Sequence, residues 1–73
     1  MMVNVTRLRE VLAEQQITYD DVARSLGVDR ATFYRRLAQQ GAKFTVEEVG
    51  KLAKMLKLTP QEMQDIFFDR ELA

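Results

Sequence analysis

The hydrophobic and polar positions of the chain repeat one local pattern five times, and each repeat predicts the start of a helix. At each start an apolar residue is followed by a capping residue, and a second apolar residue lies four positions beyond the cap, as in a hydrophobic staple. The five starts are Val3-Asn4 with Leu8, Ile17-Thr18 with Val22, Val28-Asp29 with Phe33, Phe44-Thr45 with Val49, and Leu58-Thr59 with Met63. The helices are then predicted over residues 5–15, 19–26, 30–39, 46–56 and 60–67.

Helices this short must share one core, because an isolated helix under ~12–15 residues is marginal in water. The chain shows no strand signal and no internal repeat. Its length therefore predicts one all-α domain over residues 1–73, folded as a compact five-helix bundle. The expected core residues are Val5, Leu8, Leu12, Val22, Leu26, Val28, Phe33, Leu37, Val49, Leu52, Ala53, Leu56 and Met63, together with Ile66 or Phe67.

Three of the helix starts carry an acidic residue three positions after the cap, which is the spacing of a capping box. In such a box the cap side chain accepts the backbone N–H of the acidic residue, whose carboxylate accepts the backbone N–H of the cap. Complete boxes are predicted for Thr45 with Glu48 and for Thr59 with Glu62, and a weaker version for Thr18 with Asp21.

Residues 18–37 show the pattern of two helices joined by a tight turn. Ala23 is small where two helix backbones must approach closely, and Gly27 stands where the first helix must stop in a left-handed conformation. Asp29 then suits the cap of the second helix. The residues left on the exposed face of that helix are Arg30, Tyr34 and Arg35. This is a helix-turn-helix pattern, and its second helix is predicted to enter a groove of DNA.

The distribution of charge favours a nucleic-acid partner more than the net charge does. The chain carries 11 basic and 11 acidic residues, so its net charge is zero. Between residues 24 and 43, however, five basic residues stand against one acid. Such a local positive patch is the footprint expected for phosphate contact, while the alternative is a solvated helix face with incidental arginines.

The residue types that the chain lacks exclude most catalytic and metal-binding chemistry. It has no cysteine and no histidine, and Ser25 is its single serine, so no catalytic constellation is expected. We therefore expect no enzyme activity, no cofactor and no metal. No apolar run approaches the ~20 residues that span a bilayer, and no signal segment opens the chain. A soluble intracellular protein that makes no membrane contact is expected.

A resemblance to a known family is carried by residues 17–37. Their sequence, Ile-Thr-Tyr-Asp-Asp-Val-Ala-Arg-Ser-Leu-Gly-Val-Asp-Arg-Ala-Thr-Phe-Tyr-Arg-Arg-Leu, is similar to the helix-turn-helix of the phage repressor and Cro family. The similarity extends over nearly the whole chain, because one helix precedes this segment and two capped helices follow it. It implies a lambda-repressor-like transcriptional regulator that binds a palindromic operator of double-stranded DNA as a homodimer. It also implies action in the cytoplasm of a bacterial cell or phage-infected host, at the nucleoid.

The resemblance also gives individual positions a role on DNA. It implies base contacts from the first part of the third helix, at Arg30, Ala31, Tyr34 and Arg35. An arginine can donate two parallel hydrogen bonds to guanine O6 and N7, and an alanine can meet a thymine methyl group. The expected phosphate contacts are Tyr19, Thr32, Arg36, Gln39, Lys43 and Thr45.

Some of these assignments have a simpler alternative within the chain. Arg36 is as able to pair with an acid of the same chain as to hold a phosphate, and Tyr34 can be partly buried. Asp29 fits a helix cap better than a base contact. The function has an alternative as well, a protein-interaction module such as an antirepressor or partner regulator that keeps the fold without binding DNA. A protein co-regulator is a further partner to consider.

The end of the chain raises the question of a dimer contact. Residues 66–68 are consecutive apolar residues, and one narrow helix face cannot hide all three. We expect helix five and the tail, residues 68–73, to form a two-fold contact through Phe67, Phe68 or Leu72. The alternative is a tail that folds back over the core.

Overall fold

Five helices in the predicted order make up the structure, a computed structural model that describes residues 3–39 and 44–68. They are α1 (Val5–Glu14), α2 (Tyr19–Leu26), α3 (Arg30–Ala38), α4 (Val46–Leu56) and α5 (Pro60–Phe67). The described residues contain no strand, and the predicted all-α, five-helix class is confirmed. Helices α1 and α3 each end one residue earlier than predicted. None of the described helices has the length and apolar character needed to cross a bilayer.

Each helix begins at the predicted cap because a side-chain oxygen there accepts a backbone N–H from the first turn. The five caps are Asn4, Thr18, Asp29, Thr45 and Thr59. The box of Thr18 and Asp21 has both of its hydrogen bonds, like the other two boxes, with N···O distances of 3.2 and 3.1 Å. The expectation of a weaker version was therefore wrong, since the shorter carboxylate still reaches the cap N–H.

The turn between α2 and α3 has the predicted left-handed glycine. Gly27 has φ 75° and ψ 25°, and the N–H of Val28 bonds to the carbonyl of Ala23 at 3.0 Å. Ala23 itself is buried, as its small size predicted. Together these contacts end α2 and direct the chain into α3, so they set the angle between the two helices.

The core is close to the predicted set. Within residues 3–39 and 44–68, fifteen hydrophobic residues are buried: Val3, Leu8, Val11, Leu12, Val22, Ala23, Leu26, Phe33, Leu37, Phe44, Val49, Leu52, Leu56, Ile66 and Phe67. Val5, Val28, Ala53 and Met63 were predicted there and are only half-buried. In α1 the buried stripe is Leu8, Val11 and Leu12, so the helix is rotated slightly away from Val5. Ile66 and Phe67 are both buried rather than one of them.

The packing leaves α3 at one side of the bundle. Helix α2 packs against both α3 and α4, while α1 packs against α5. Arg7 lies 3.6 Å from Glu14 and 3.7 Å from Glu62, which ties α1 to α5. Because α3 rests mainly on α2, one of its faces remains open to solvent.

Replacing Gly50 with alanine should stabilise the fold. Gly50 is exposed within α4, and an added Cβ would meet no atom within 4 Å. Alanine loses less backbone entropy than glycine in a helix, so we expect a gain of roughly 0.5–1 kcal/mol in the free energy of unfolding. Urea unfolding measures it. Gly27→Ala is the contrast, since its positive φ should make the same change destabilising although the space is equally open. A loss of stability in Gly50→Ala would contradict the placement of this residue.

Candidate nucleic-acid interface

The exposed face of α3 carries all four residues that were predicted to contact bases. Ala31 and Arg35 are exposed, Tyr34 is 42% exposed, and the Arg30 side chain is 60% exposed. The opposite face is buried through Phe33 and Leu37. This two-faced helix is thus anchored in the core on one side and presents a continuous arginine-bearing surface on the other. Tyr34 remains exposed on this face, but the Tyr19 ring, 5.0 Å away, covers part of it, so the alternative of partial burial holds for that part.

Asp29 acts as the cap of α3. Its carboxylate accepts the backbone N–H of Thr32 at 2.7 Å. That backbone hydrogen bond, followed by the one from the Thr32 side chain, lowers the pKa of the Asp29 carboxyl below its ordinary value. A negative charge here also suits the positive end of the helix dipole. The side chain is therefore used within the fold, in agreement with its interpretation as a cap.

Arg30 is held by neighbours from two helices. Its Nε lies 3.6 Å from the carboxylate of Asp20 on α2, and its Nη2 donates to the hydroxyl of Tyr34 at 3.4 Å. The guanidinium carbon also lies 5.4 Å from the centre of the Tyr34 ring, within cation–π range. The Tyr34 hydrogen bond and then the Asp20 charge raise the pKa of Arg30 further above its usual value.

Arg35 is the α3 arginine whose charge is least compensated. Its Nη2 donates to the hydroxyl oxygen of Thr32 at 3.0 Å. Among residues 3–39 and 44–68, no carboxylate forms an ion pair with it. Its charge also helps to lower the pKa of the Asp29 carboxyl. An exposed guanidinium without an ion pair keeps most of its five donors for an outside partner.

Arg36 has an acidic partner within the chain. Its guanidinium pairs with the carboxylate of Glu48 on α4 and lies 5.8 Å from the centre of the Phe44 ring. Only 21% of the Arg36 side chain and 13% of the Glu48 side chain are exposed. Burial opposes ionisation of Glu48, but hydrogen bonds from Thr45 and Arg36 outweigh it and lower its pKa. This pair fixes the end of α3 against the start of α4, as the alternative for Arg36 described.

An open pocket of ≈ 380 Å³ lies at the second half of α3. Its lining residues are Thr32, Arg35, Arg36 and Gln39. Three of these, all except Arg35, belong to the predicted phosphate contacts. Two arginines, a hydroxyl and an amide around one concave surface can supply several hydrogen-bond donors to an anion.

Two other predicted phosphate contacts, Tyr19 and Thr45, do not line this pocket. The Tyr19 ring packs edge-on between Phe33, 5.5 Å away, and Tyr34, 5.0 Å away. Thr45 caps α4, where its hydroxyl oxygen accepts the N–H of Glu48 at 3.0 Å. Lys43 lies outside the described residues. The site therefore has one half at Arg30, where aromatic rings pack together, and a concave half at Arg36.

The predicted dimer residues occupy different environments. Phe67 is 3% exposed and belongs to the core of a single chain, so it has almost no surface to offer a second copy. Phe68 is 54% exposed at the end of α5. Leu72 lies outside the described residues. Of the two described residues, Phe68 is therefore the one with surface available for a two-fold contact.

Asp20 and Glu48 are functional neighbours that the sequence did not reveal. No contact with Arg30 was predicted for Asp20, and Glu48 was predicted only as half of a capping box. Their pairing with Arg30 and Arg36 joins residues 10 and 12 positions apart on different helices, and no local spacing signals such a contact. The one available signal is that each acid stands in the first turn of its helix, where it is fixed in place.

The fold and this exposed face define a helix-turn-helix domain of the DNA-binding class. A family model described as the Cro/C1-type HTH DNA-binding domain matches residues 7–69, and the chain belongs to that family. The resemblance to phage repressors and Cro is thereby confirmed. No significant match was found among curated proteins or among solved structures. Within residues 3–39 and 44–68, no cluster of side chains is suited to hold a metal ion.

The pair of Arg36 and Glu48 should make the stability of the domain sensitive to acid. Because the pKa of Glu48 is lowered, its ionised form stabilises the fold above the ordinary value of 4.5, and this contribution disappears as the pH falls through the lowered pKa. We expect Glu48→Gln to lose about 1–2 kcal/mol at neutral pH, the scale of a charged hydrogen bond. In acid, once the pH has fallen below the lowered pKa and the carboxyl is protonated, the difference from the unmodified protein should vanish.

Urea unfolding at the two pH values measures this effect. Glu47→Gln is the matched control. The Glu47 side chain is 82% exposed, and its ion pair is an exposed one, 3.8 Å from Lys51 on the same helix. It should change stability little at either pH. A difference for Glu48→Gln that persists unchanged in acid would contradict the role given to its charge.

Proposed function

We propose that this protein is a sequence-specific regulator of transcription, a phage-type repressor that reads a palindromic operator through α3. The observation that carries the proposal is the open face of α3, on which Arg30 and Arg35 project from a helix whose other face is buried. A helix of this width fits the major groove of B-DNA, where base edges differ in their donors and acceptors. On this proposal the protein acts in the cytoplasm of a bacterial cell or phage-infected host, at the nucleoid.

The two halves of α3 suit two kinds of contact. The first turns, with Arg30, Ala31, Tyr34 and Arg35, would face base edges, because recognition helices present their N-terminal part to the groove. The pocket lined by Arg36 and its neighbours would hold the backbone, since phosphate contacts fix the register of a protein on DNA. Tyr19, Lys43 and Thr45 complete the proposed phosphate set.

Fluorescence anisotropy with labelled duplexes tests this function. Binding sites are first selected from random double-stranded DNA, and affinity is then measured at about 50 and about 200 mM salt, a range over which phosphate contacts weaken strongly. The proposal expects recovery of a palindrome and a steep loss of affinity at the higher salt. Failure to enrich any sequence, with no binding even at the lower salt, would overturn it.

A protein-interaction module is the second candidate function, and one observation favours it. The net charge is zero, and acids compensate two of the three α3 arginines, so the positive charge that α3 offers to DNA is smaller than its three arginines suggest. In this alternative, α3 would contact an acidic surface of a protein partner, as an antirepressor or partner regulator does. Absence of DNA binding together with a correctly folded protein would favour it.

We further propose that the protein binds its operator as a homodimer whose contact includes Phe68. Two half-sites about one turn apart, ~34 Å, would double the contact area and explain specific binding by a neutral chain. Phe68 is a large apolar side chain with more than half of its surface exposed at the end of α5. An exposed residue of this kind is suited to the centre of a small interface.

Replacing Phe68 with glutamate should therefore prevent self-association. We expect the unmodified protein to sediment as a dimer at micromolar concentration and the variant as a monomer, because a charge in an apolar contact is strongly unfavourable. Val46→Glu is the control, since Val46 is 80% exposed on α4 and lies outside the proposed contact. An identical sedimenting mass for the Phe68 variant and the unmodified protein would count against this contact.

A further inference from the structure

Asp20 is an acidic residue beside α3, the helix proposed to bind DNA, where a negative charge would repel the phosphates. It belongs to the first turn of α2, and its carboxylate approaches the Nε of Arg30 to 3.6 Å. The two side chains are 55% and 60% exposed, so the pair stands at the surface beside α3. A helix-dipole role alone does not explain this contact, because the carboxylate is directed at the first residue of a different helix.

Arg30 also packs on a series of aromatic rings that connects it to the core. Phe33 is fully buried, the Tyr19 ring stands edge-on to it, the Tyr34 ring stands edge-on to Tyr19, and the Arg30 guanidinium lies over Tyr34. Each step is within the distance range of favourable aromatic or cation–π contacts. Arg30 is thus a flexible side chain whose end is fixed by three contacts, two from Tyr34 and one from Asp20.

We propose that Asp20 is a positioning residue that holds Arg30 ready to read a guanine and weakens binding to DNA that offers no guanine at that position. The inference rests on the proposed function and names the residue that sets its specificity. It differs from the base contact itself, since Asp20 acts through Arg30 and not by touching a base.

The geometry leaves the reading end of Arg30 available. Asp20 approaches the Nε side of the guanidinium, whereas bidentate recognition of guanine O6 and N7 uses the two terminal nitrogens. Each terminal nitrogen carries two N–H groups, so the single bond from Nη2 to Tyr34 leaves donors on both. An arginine already held in this orientation loses less side-chain entropy when it binds.

The negative charge of Asp20 acts against binding that is not specific. In non-specific complexes, affinity comes almost entirely from basic side chains near phosphates, and a carboxylate beside Arg30 cancels part of that attraction. In a specific complex, the guanine supplies two hydrogen bonds as compensation. Asp20 therefore lowers the affinity for all DNA but lowers it least for the correct sequence, which raises discrimination.

The test measures discrimination at one base pair. The base pair read by Arg30 is identified as the position of the selected site at which the Arg30→Ala variant no longer prefers one base pair. The discrimination ratio is the affinity for the selected site divided by the affinity for the same duplex with A·T at that position. Asp20→Asn should lower the ratio by about 5–10-fold, the lower part of the range for one bidentate contact, while tightening binding to random duplex. Asp20→Glu keeps the charge and should retain most of the ratio.

Two controls separate positioning from charge and from folding. Asp65→Asn removes the same charge from α5, which packs mainly against α1, and should leave the ratio unchanged. In the Arg30→Ala background, Asp20→Asn should change the ratio no further, because residues that act through one contact are not additive. Thermal unfolding of every variant establishes that each one is folded.

The outcomes distinguish this inference from the proposed function. If the unmodified protein binds a selected site but Asp20→Asn keeps the full ratio, the positioning role is wrong and the function stands. The positioning role is also wrong, with the function intact, if no base pair of the site depends on Arg30. It is wrong as well if Asp20→Asn alters the ratio equally in the unmodified and the Arg30→Ala backgrounds. If the unmodified protein binds no DNA, the proposed function fails. The contact itself is then judged by the NMR signal of the Arg30 Nε–H, which should shift in Asp20→Asn and stay unchanged in Asp65→Asn.

Discussion

Replacing Arg35 with glutamate should abolish most of the DNA affinity. Arg35 lies on the open face of α3, donates to a neutral hydroxyl, and has no carboxylate partner among the described residues. The substitution removes a donor pair of the kind that reads guanine and places a negative charge in the groove. We expect affinity for the selected site to fall by about 100-fold or more, since one bidentate contact alone is worth roughly 1–3 kcal/mol.

Two companion variants make the result specific to α3. Arg9→Glu makes the same change of charge at an exposed position of α1, and it should weaken binding far less. Arg35→Lys keeps the charge but loses the planar pair of donors, so it should retain salt-dependent affinity while losing base preference. Anisotropy at two salt concentrations measures all three. Equal losses for Arg35→Glu and Arg9→Glu would show that the open face of α3 is not the DNA surface.

The helix starts were predictable because their signals are local. A cap and the N–H that it accepts are three residues apart, so the bond between Asp29 and Thr32 depends on a short stretch of sequence alone. The same is true of the left-handed turn at Gly27, where the backbone conformation requires a residue without a Cβ penalty. The helix ends carry weaker signals, and α1 and α3 accordingly ended one residue early.

The core was less fully predictable, because burial depends on which neighbours a helix meets. In α1 the spacing of Val5, Leu8 and Leu12 and that of Leu8, Val11 and Leu12 both give one apolar stripe. Only the packing of α1 against α5 decides between them. The N–H of Asn4 bonds to the carbonyl of Ile66, 62 positions away, at 2.8 Å, and the neighbouring Val3 is buried in the core.

The candidate site shows the same limit at the level of chemistry. In the sequence, the three arginines of α3 are equivalent except for their position along the helix. In the structure, Arg30 is oriented by Asp20 and Tyr34, Arg36 is engaged by Glu48, and Arg35 forms no ion pair with the described residues. These differences arise from acids on α2 and α4, so they follow from how the helices pack. Sequence reasoning identified the surface, and tertiary contacts assign each arginine its part in it.

Replacing Phe33 with alanine should have the largest effect on stability. Phe33 is fully buried, and its ring lies 5.5 Å from that of Tyr19 and 6.0 Å from that of Phe44. Loss of a buried phenylalanine costs about 3–5 kcal/mol from lost burial and the cavity left behind. Folded domains are stable by only about 5–15 kcal/mol, and one of this size has little to spare. We therefore expect the unfolding midpoint to fall by at least about 12 °C, at roughly 4–8 °C per kcal/mol.

Circular dichroism during heating measures this change, and two variants grade it. Phe33→Leu keeps most of the volume and should cost less than about 1.5 kcal/mol, whereas Val46→Ala removes an exposed side chain and should be nearly neutral. Because Tyr19 and Tyr34 rest on Phe33, the alanine variant should also loosen the support of Arg30 at temperatures where it is still folded. A midpoint for Phe33→Ala within a few degrees of that for Val46→Ala would mean that α3 is not anchored through this ring, and that the base-reading end of the helix is oriented by other contacts.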